Sequence, residues 1–565
     1  MTAGAQTESS FTCSPSHLLS CSAAKPLGLW LLLGVGATAL VFSGVVQGGM
    51  GWDEPEQIHA GASYTHWFTD ATDRLSDATI RQFWTWDPAH PPLGKLFMGV
   101  MVRLLGGVLG PLSAARIAPA LALGATITLL SIWTQRELGA RAALLAGVSL
   151  LFFPRVFGAA HFASLDTPMM LAWLLAVVTF GRALRTSPAA PGLRAALSPA
   201  ALLAGVGFGL ALLTKLNALF LPLVLWPWAL VRYRRRAFGP ILASLILGPL
   251  LFLVGWPWLY HDTVARTMGY LADKVGRPVL PVWYLGRAYL TTYAPWHYPL
   301  VMVAVTVPAG LLAGAAVGIV AVVGRWRRAA VAELSLVNLA GILMVASLPW
   351  APKYDGVRLF LPAFPFLAIL AGVGLDGVYR RLNACSGPWR RALLVTGVGL
   401  MLTQGWGLIW AWPFHLTYYN MVVGGRQGAK ALGLETMYWG EAFDRESWRG
   451  LEDVVARADS PHGERSAGRR MRVSFAGVAR EVPEFLQTRG YLTRDFAPLR
   501  LGAGDADYVV VARSQGWLAR SRRLDLLEPT VIEQALFVRR HRGMPLCWIL
   551  SREAAAPSVQ AETVR

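Results

Sequence analysis

Long apolar runs, separated by short arginine clusters or by a few ionisable residues, recur along the first 412 residues and set the architecture. Segments long enough to cross ~30 Å of hydrocarbon fall at 27–47, 114–133, 140–154, 167–181, 198–214, 217–231, 239–259, 299–323, 331–349, 358–378 and 392–412. They predict eleven transmembrane helices, with 140–154 and 167–181 borrowing flanking residues. A twelfth segment, His90 to Gly110, carries Lys95 and Arg103 in an amphipathic stretch. Whether it crosses decides the sidedness of everything after it.

The arginines settle the parity. If 90–110 stays at the surface, five short loops share one side: Arg136/Arg141, Arg182/Arg185/Arg194, Arg232/Arg234/Arg235/Arg236, Arg325/Arg327/Arg328 and Arg380/Arg381/Arg390/Arg391. An excess of arginine in short loops marks the cytoplasmic face. The 90–110 segment then reads as an interfacial amphipathic helix. Residues 1–26 form a cytoplasmic, disordered tail on this threading. The loop 48–113, the loops near 155–166 and 260–298, the short 350–357 turn and everything after Pro413 face outside.

After 413 the pattern changes to short alternating runs with many charges. Arg472 to Ala476, Tyr508 to Ala512 and Cys547 to Leu550 read as strands, and Trp448 to Ala458 and Val482 to Gly490 as helices. The chain is thus an all-α polytopic membrane protein of about eleven transmembrane helices plus interfacial helices. It divides into a transmembrane domain at 27–413, a small extramembrane α/β domain at 414–553 and a disordered tail at 554–565.

Composition agrees. Hydrophobic side chains make up 54% and charged ones 15%, which excludes a string of soluble domains. The formal charge of +19 would suggest nucleic acid in a soluble protein. Here the basic residues sit between spans as topology signals, so no nucleic-acid partner is expected. Cys13, Cys21, Cys385 and Cys547 have no metal-ligand or disulfide spacing.

The candidate chemistry gathers on the outer side. Asp53-Glu54 follows the first span and precedes Pro55, which holds Glu54 extended, so the two carboxylates diverge. One suits a general base and the other an orienting group; an acidic cap on an interfacial helix is the competing reading. Trp84-Thr85-Trp86-Asp87-Pro88-Ala89-His90-Pro91-Pro92-Leu93-Gly94-Lys95 is a stiff stretch that also fits an interfacial anchor. Arg155, His161 and Asp166 lie in the second outer loop, where ionisable groups beside a membrane raise a functional reading. Lys215 separates two spans and either snorkels or meets a phosphate. Lys353 to Arg358 puts two cations and Asp355 in an outer turn, against the usual charge bias, which favours an anionic ligand. The loop 260–298 adds Asp273, Lys274, Arg277 and Arg287 and returns through Trp296-His297-Tyr298.

At these residues the chain resembles the protein O-mannosyltransferase and aminoarabinose transferase superfamily, the polyprenyl-phosphate-sugar-dependent glycosyltransferases of the GT-C fold. The matching elements are Asp53-Glu54, His90 to Lys95, the Arg155 to Asp166 loop, Leu213-Thr214-Lys215, Asp355 to Pro365, and Leu416 to Asn420 followed by Gly424-Gly425. The likeness covers about 27–440. It implies an inverting hexosyl- or pentosyltransferase that takes a sugar from a polyprenyl phosphate donor to a hydroxyl of a protein, lipid A or polysaccharide. Asp53 is then the base, with Glu54 and Asp166 as further catalytic candidates. Lys215, Lys353 and Arg358 bind the donor phosphate, and His90, Arg155, His161 and His297 the substrates. A divalent cation, with Glu54 and Asp166 as its ligands, stays open. The arginine- and alanine-rich composition points to a bacterial inner-membrane protein using undecaprenyl phosphate, with its active site and C-terminal domain periplasmic. The alternative is a transporter or flippase of a lipid-linked substrate; such proteins often carry internal repeats and midplane charges, and this chain has neither.

Overall fold

The computed structural model describes residues 25–45, 48–188, 192–275, 280–324, 329–384, 387–458, 470–501 and 506–556. Most of both predicted terminal tails, Cys13, Cys21, Cys385, Arg277 and the Arg325/Arg327/Arg328 loop lie outside the described residues; Lys25 and Pro26 open the first helix. The chain is a helical, multi-pass membrane protein with a small sheet domain near its C-terminus.

The first 190 residues form α1 (Lys25–Gly44), α2 (Glu54–Asp70), α3 (Asp77–Trp84), α4 (Leu93–Leu109), α5 (Pro111–Leu138), α6 (Ala140–Leu151), α7 (Pro154–Ala159) and α8 (Asp166–Thr186). Helices Pro199–Thr214, Leu221–Tyr233, Phe238–Val254, Thr263–Val275, Tyr298–Thr306, Ala309–Val323, Ala330–Ser347, Phe364–Ala384 and Pro388–Ala411 follow. Seven helical runs among the described residues are long and apolar enough to cross a membrane, and the number is eight when the pair Tyr298–Thr306 and Ala309–Val323, bent by 118°, is taken as one broken span. The shorter apolar α6 and Pro199–Thr214 add two.

The run Leu216–Val254 holds two crossings rather than one. Its 39 residues would extend ~58 Å as a single helix, nearly twice the ~30 Å core. It breaks at Arg234 (φ 50°). Gly205 faces Ala243 and Leu247, Gly209 faces Leu251 and Leu213 faces Gly255, so Pro199–Thr214 and Phe238–Val254 run parallel and Leu221–Tyr233 runs back between them. All eleven apolar segments read from the sequence therefore have a helix.

Parity follows from α1 and α5, which are antiparallel. A Cβ on Gly34 would lie 2.0 Å from Thr128 Oγ1 and one on Gly124 2.4 Å from Gly34 O; small residues permit this close approach. At the far end of α1, Arg116 Nη1 donates to Val45 O at 2.8 Å. The chain between them therefore leaves and re-enters at the same end. Helices α2 and α4 cross through Gly61 and Gly99, where a Cβ on Gly99 would meet Gly61 O at 2.0 Å. At the opposite end of the bundle Arg185 pairs with Glu137, Arg232 with Glu333, and both Arg141 and Arg380 with Asp376.

The C-terminal sheet comprises β3 (Met471–Ala476), β4 (Phe496–Arg500), β5 (Tyr508–Ala512), β6 (Phe537–His541) and β7 (Met544–Ser551), after a separate hairpin of β1 (Pro281–Tyr284) and β2 (Arg287–Leu290). Its order is β4-β3-β5-β7-β6, parallel around β3 and antiparallel around β7. Helices Arg445–Ala458 and Glu481–Thr488 cover one face. The apolar core under the sheet is continuous with Ile58, Met98, Leu112 and Ala115, so the domain is seated on α2, α4 and the start of α5. Strands β4 (Phe-Ala-Pro-Leu-Arg) and β6 (Phe-Val-Arg-Arg-His), the two edges of the sheet, lack polar–apolar alternation and carry no strand signal.

Candidate active site

The acid-rich end of the bundle is built where helices start or stop. Asp53 is the N-cap residue of α2, yet its side chain makes no capping hydrogen bond. Asp166 opens α8, where the helix dipole favours a carboxylate. Lys215 ends Pro199–Thr214 in extended geometry (φ −160°). Asp355 (φ 53°) and Gly356 (φ 67°) form a left-handed turn just before Arg358. Asp tolerates that region better than most residues, and at Gly356 a Cβ would sit 2.3 Å from Arg155 Nη1.

Arg358 joins these pieces. Its Nε donates to Asp166 Oδ2 at 2.7 Å, its Nη1 to Asp355 Oδ2 at 3.1 Å, and its Nη2 to Asp53 Oδ2. Lys215 Nζ holds the other oxygen of Asp166. The indole of Trp439 lies 3.8 Å beneath the guanidinium carbon, within cation–π range. Asp166 is buried, with 2% of its side chain exposed, whereas 42% of the Asp53 side chain is open. Asp53 Oδ1 accepts no hydrogen bond among the described residues. Burial, together with the nearby Asp53 and Asp166 charges, pushes the Asp355 carboxyl up to about 6 against the pull of Arg358.

Glu54 is turned the other way. It accepts from Arg116 Nε (2.8 Å) and Nη2 (2.6 Å), from Gly51 N (2.7 Å) and from Ala163 N (2.6 Å), all buried. Pro55 does not hold Glu54 extended, as the sequence suggested: Glu54 is the first residue of α2 and Pro55 sits in its first turn. The two carboxylates diverge because adjacent positions on a helix point to different sides, so Asp53 faces the recess while Glu54 ties α2 to α5 and to the second outer loop. Arg116, a lone charge inside the apolar 114–133 segment, is its partner and was not singled out from the sequence, although an arginine in such a segment is itself a signal.

Arg155 is buried, its guanidinium between Tyr419 (4.7 Å) and Tyr438 (4.8 Å), with Nε donating to Tyr418 O at 2.9 Å. Its Nη2 has no hydrogen-bond partner among the described residues. Together with Asp166, Asp355, Arg358, Tyr438 and Trp439 it lines a narrow cavity.

The remaining candidates sit elsewhere. Lys353 Nζ donates to Leu348 O (2.8 Å) and Ala351 O (3.0 Å), closing the end of Ala330–Ser347; burial lowers its pKa. His161 stacks on His415 and contacts Phe157 O through Nδ1, and burial lowers it to about 4, so it is neutral. His297 Nδ1 meets Tyr284 OH at 2.8 Å. The carbonyl of His90 accepts from Lys95, whose ammonium also pairs with Asp87 Oδ2 at 2.8 Å. The His90 to Lys95 stretch thus fastens the first outer loop through a buried ion pair.

Three further residues escaped sequence reading. Trp439 and Tyr438 come from a segment that carries no motif. Glu56 lies three residues after Asp53, on the same side of α2. Partial desolvation, then the charges of Asp87 and Asp53, raise its carboxyl to about 7. As for a divalent cation, no cluster of three or more His, Cys, Asp or Glu converges among the described residues. The oxygens of Glu54 and of Asp166 are already held by Arg116, or by Arg358 and Lys215, so these two carboxylates do not fit a shared ion.

Comparison with known proteins agrees with the fold. The family model described as dolichyl-phosphate-mannose-protein mannosyltransferase matches residues 89–261. The apo crystal structure of ArnT from Cupriavidus metallidurans is similar, with TM-score 0.50 and 18% identity, over 95% of this chain and 100% of that one. The same ArnT bound to undecaprenyl phosphate gives 0.49 and 17% over the same shares. The apo oligosaccharyltransferase of Archaeoglobus fulgidus gives 0.50 and 12%, over 86% of this chain and 69% of that one. No curated protein matches the sequence.

Proposed function

We propose that the chain is an integral membrane glycosyltransferase that moves a hexosyl or pentosyl group from a polyprenyl phosphate to a hydroxyl acceptor, with Asp53 as base. The observation that carries this reading is the cluster around Arg358: one guanidinium shared by a buried acid, a turn acid and the half-open Asp53. The family model over residues 89–261 supports a polyprenyl-type phosphate as carrier, and the arginine-rich opposite end supports a periplasmic site in a bacterial inner membrane.

An acceptor hydroxyl is barely ionised at neutral pH, so its attack on the anomeric carbon needs a base within hydrogen-bond reach. Asp53 offers Oδ1. As the acceptor oxygen bonds to the anomeric carbon, the bond to the phosphate oxygen breaks and the acceptor proton passes to Asp53. The polyprenyl phosphate leaves as an anion, needs no acid, and the centre inverts. Arg358, Lys215 and the open Nη2 of Arg155 are the cations placed to hold that phosphate. In this reading the donor phosphate draws Arg358 from Asp53 and frees the base only when donor is bound. Lys353, whose ammonium is engaged with the carbonyls of Leu348 and Ala351, takes no part in holding that phosphate. Glu54 acts by fixing the start of α2.

The test is comparative mass analysis of envelope lipids, polysaccharides and proteins from cells with and without the gene. A sugar lost from one molecular class identifies the acceptor. No glycan change in any class, with a lipid-linked sugar accumulating on the cytoplasmic side instead, supports a flippase and overturns the proposal.

A further inference from the structure

The Leu416 to Asn420 and Gly424-Gly425 stretch, whose Tyr418 and Tyr419 hold Arg155 on one side, walls a second cavity on its other side. That cavity, about 340 Å³, lies between the end of Pro388–Ala411 and the β6–β7 turn, with Trp406, Trp410, Tyr418, Arg426, His541 and Arg542 on its walls. Arg426 Nη2 donates to Thr417 Oγ1 at 2.5 Å. Its Nε and Nη1 are buried without a hydrogen-bond partner among the described residues. Buried Glu441 lies close enough to act on the Arg426 charge but makes no hydrogen bond to it, so the two donors stay unmet, which is costly unless an acceptor completes them. Arg542 lies 4.4 Å from the Trp410 ring and adds a second cation.

The cavity continues into a larger apolar one of about 1000 Å³ along the same helix, and the two share Thr403, Trp406 and Met421. Gly397, Gly399 and Gly405 face open space there, with nothing within 4 Å of an added Cβ. Val398, Leu402, Trp406 and Ile409 are exposed. From Val398 to Trp410 the helix rises ~18 Å, close to the ~15 Å half-thickness of a hydrocarbon core. Below that the groove runs on toward Leu382 and Arg141. A cationic head over a leaflet-deep apolar groove is complementary to one class of molecule.

We propose that this groove is a resident site for an anionic phospholipid, whose phosphate completes Arg426 and whose acyl chains lie on the open face of Pro388–Ala411. The segment Leu416 to Tyr419 separates its head from the Arg358 cavity, so a donor lipid seated here would hold its sugar across a wall from Asp53. The phospholipid instead braces the junction between the last span and the sheet domain.

The test compares thermal unfolding of the full-length protein in phosphatidylglycerol and phosphatidylcholine nanodiscs, with native mass spectrometry of retained lipid. The wild type is expected to unfold several degrees higher in phosphatidylglycerol and to keep one such lipid. Arg426→Gln removes the head contact, and Gly405→Leu fills the tail groove without a clash. Each is expected to cut the phosphatidylglycerol-specific shift by at least half. If Arg426→Gln does not fold, Gly405→Leu decides. An unchanged shift in Gly405→Leu, no lipid preference in the wild type, or retention of a polyprenyl phosphate in place of the phospholipid overturns the assignment.

Discussion

Arg358 and Asp166 meet through a 2.7 Å bond in the interior, and that bond aims the rest of the guanidinium at Asp355 and Asp53. Lys215 binds the other oxygen of Asp166, so the buried acid anchors the cluster, while 42% of the Asp53 side chain at its end is exposed.

Replacing Arg358 by lysine keeps the charge but not the fork. A single ammonium cannot address three carboxylates in this geometry. Arg358→Lys is expected to insert and fold normally and to lose about 10²–10³-fold in kcat/KM, the usual effect of removing one preorganised electrostatic donor. Turnover within twofold of wild type would remove Arg358 from phosphate stabilisation.

Glu54 and Arg116 are expected to matter for stability first. Arg116→Ala leaves a buried carboxylate unpaired, which costs about 3–5 kcal/mol. Thermal unfolding in detergent should show this loss. Glu54→Gln with Arg116→Met together should recover part of it, because neither buried charge is then left uncompensated. Equal stability of Arg116→Ala and wild type would contradict the buried-pair assignment.

Asp355 gives a pH signature. Its folded-state pKa, about 6, lies above the ordinary value of 3.8, so the folded form binds more protons between them. Stability contributed by this group is complete below pH 3.8 and is lost as pH rises through 6. Asp355→Asn should abolish that component, so the variant gains on wild type as pH rises from 3.8 to about 6 and keeps that gain above it. A wild type and variant with parallel unfolding curves from pH 4 to 8 would refute the raised carboxyl.

Glu56, raised to about 7, adds negative charge one helical turn from Asp53 as pH increases. The rate of transfer should rise through pH 7, and Glu56→Gln should flatten that limb without changing the fold. An unaltered limb in the variant places its origin elsewhere.

Sidedness can be read by labelling. In a background with Cys13, Cys21 and Cys385 changed to serine, Asp73→Cys should react with an impermeant maleimide from outside, and Thr186→Cys only after permeabilisation. The reverse pattern would invert the topology.

Much of this was legible in advance because membrane crossing imposes long apolar runs and charge bias, and both survive in one-dimensional sequence. The site was legible where acids and cations flank helix ends, as with Asp53, Asp166, Lys215 and Arg358. It was not legible where function depends on which way a side chain turns. Adjacent Asp53 and Glu54 look equivalent in sequence, and only the placement of Arg116 separates them. Lys353 and His161 carry the right chemistry but find their partners locally, in backbone carbonyls and in His415. Trp439 is one of 23 tryptophans, and nothing in its neighbours announces that a cation will rest on it. The edge strands β4 and β6 give no periodic signal because neither has a regularly buried face to impose alternation.

The central claim is that Asp53 removes the acceptor proton. The most direct measurement is transfer by purified, reconstituted Asp53→Asn, using the acceptor class identified by envelope analysis and following release of polyprenyl phosphate. The account predicts a folded, membrane-inserted variant that still binds donor and whose turnover falls by at least 10²-fold. Asp53→Asn turning over at the wild-type rate would contradict it.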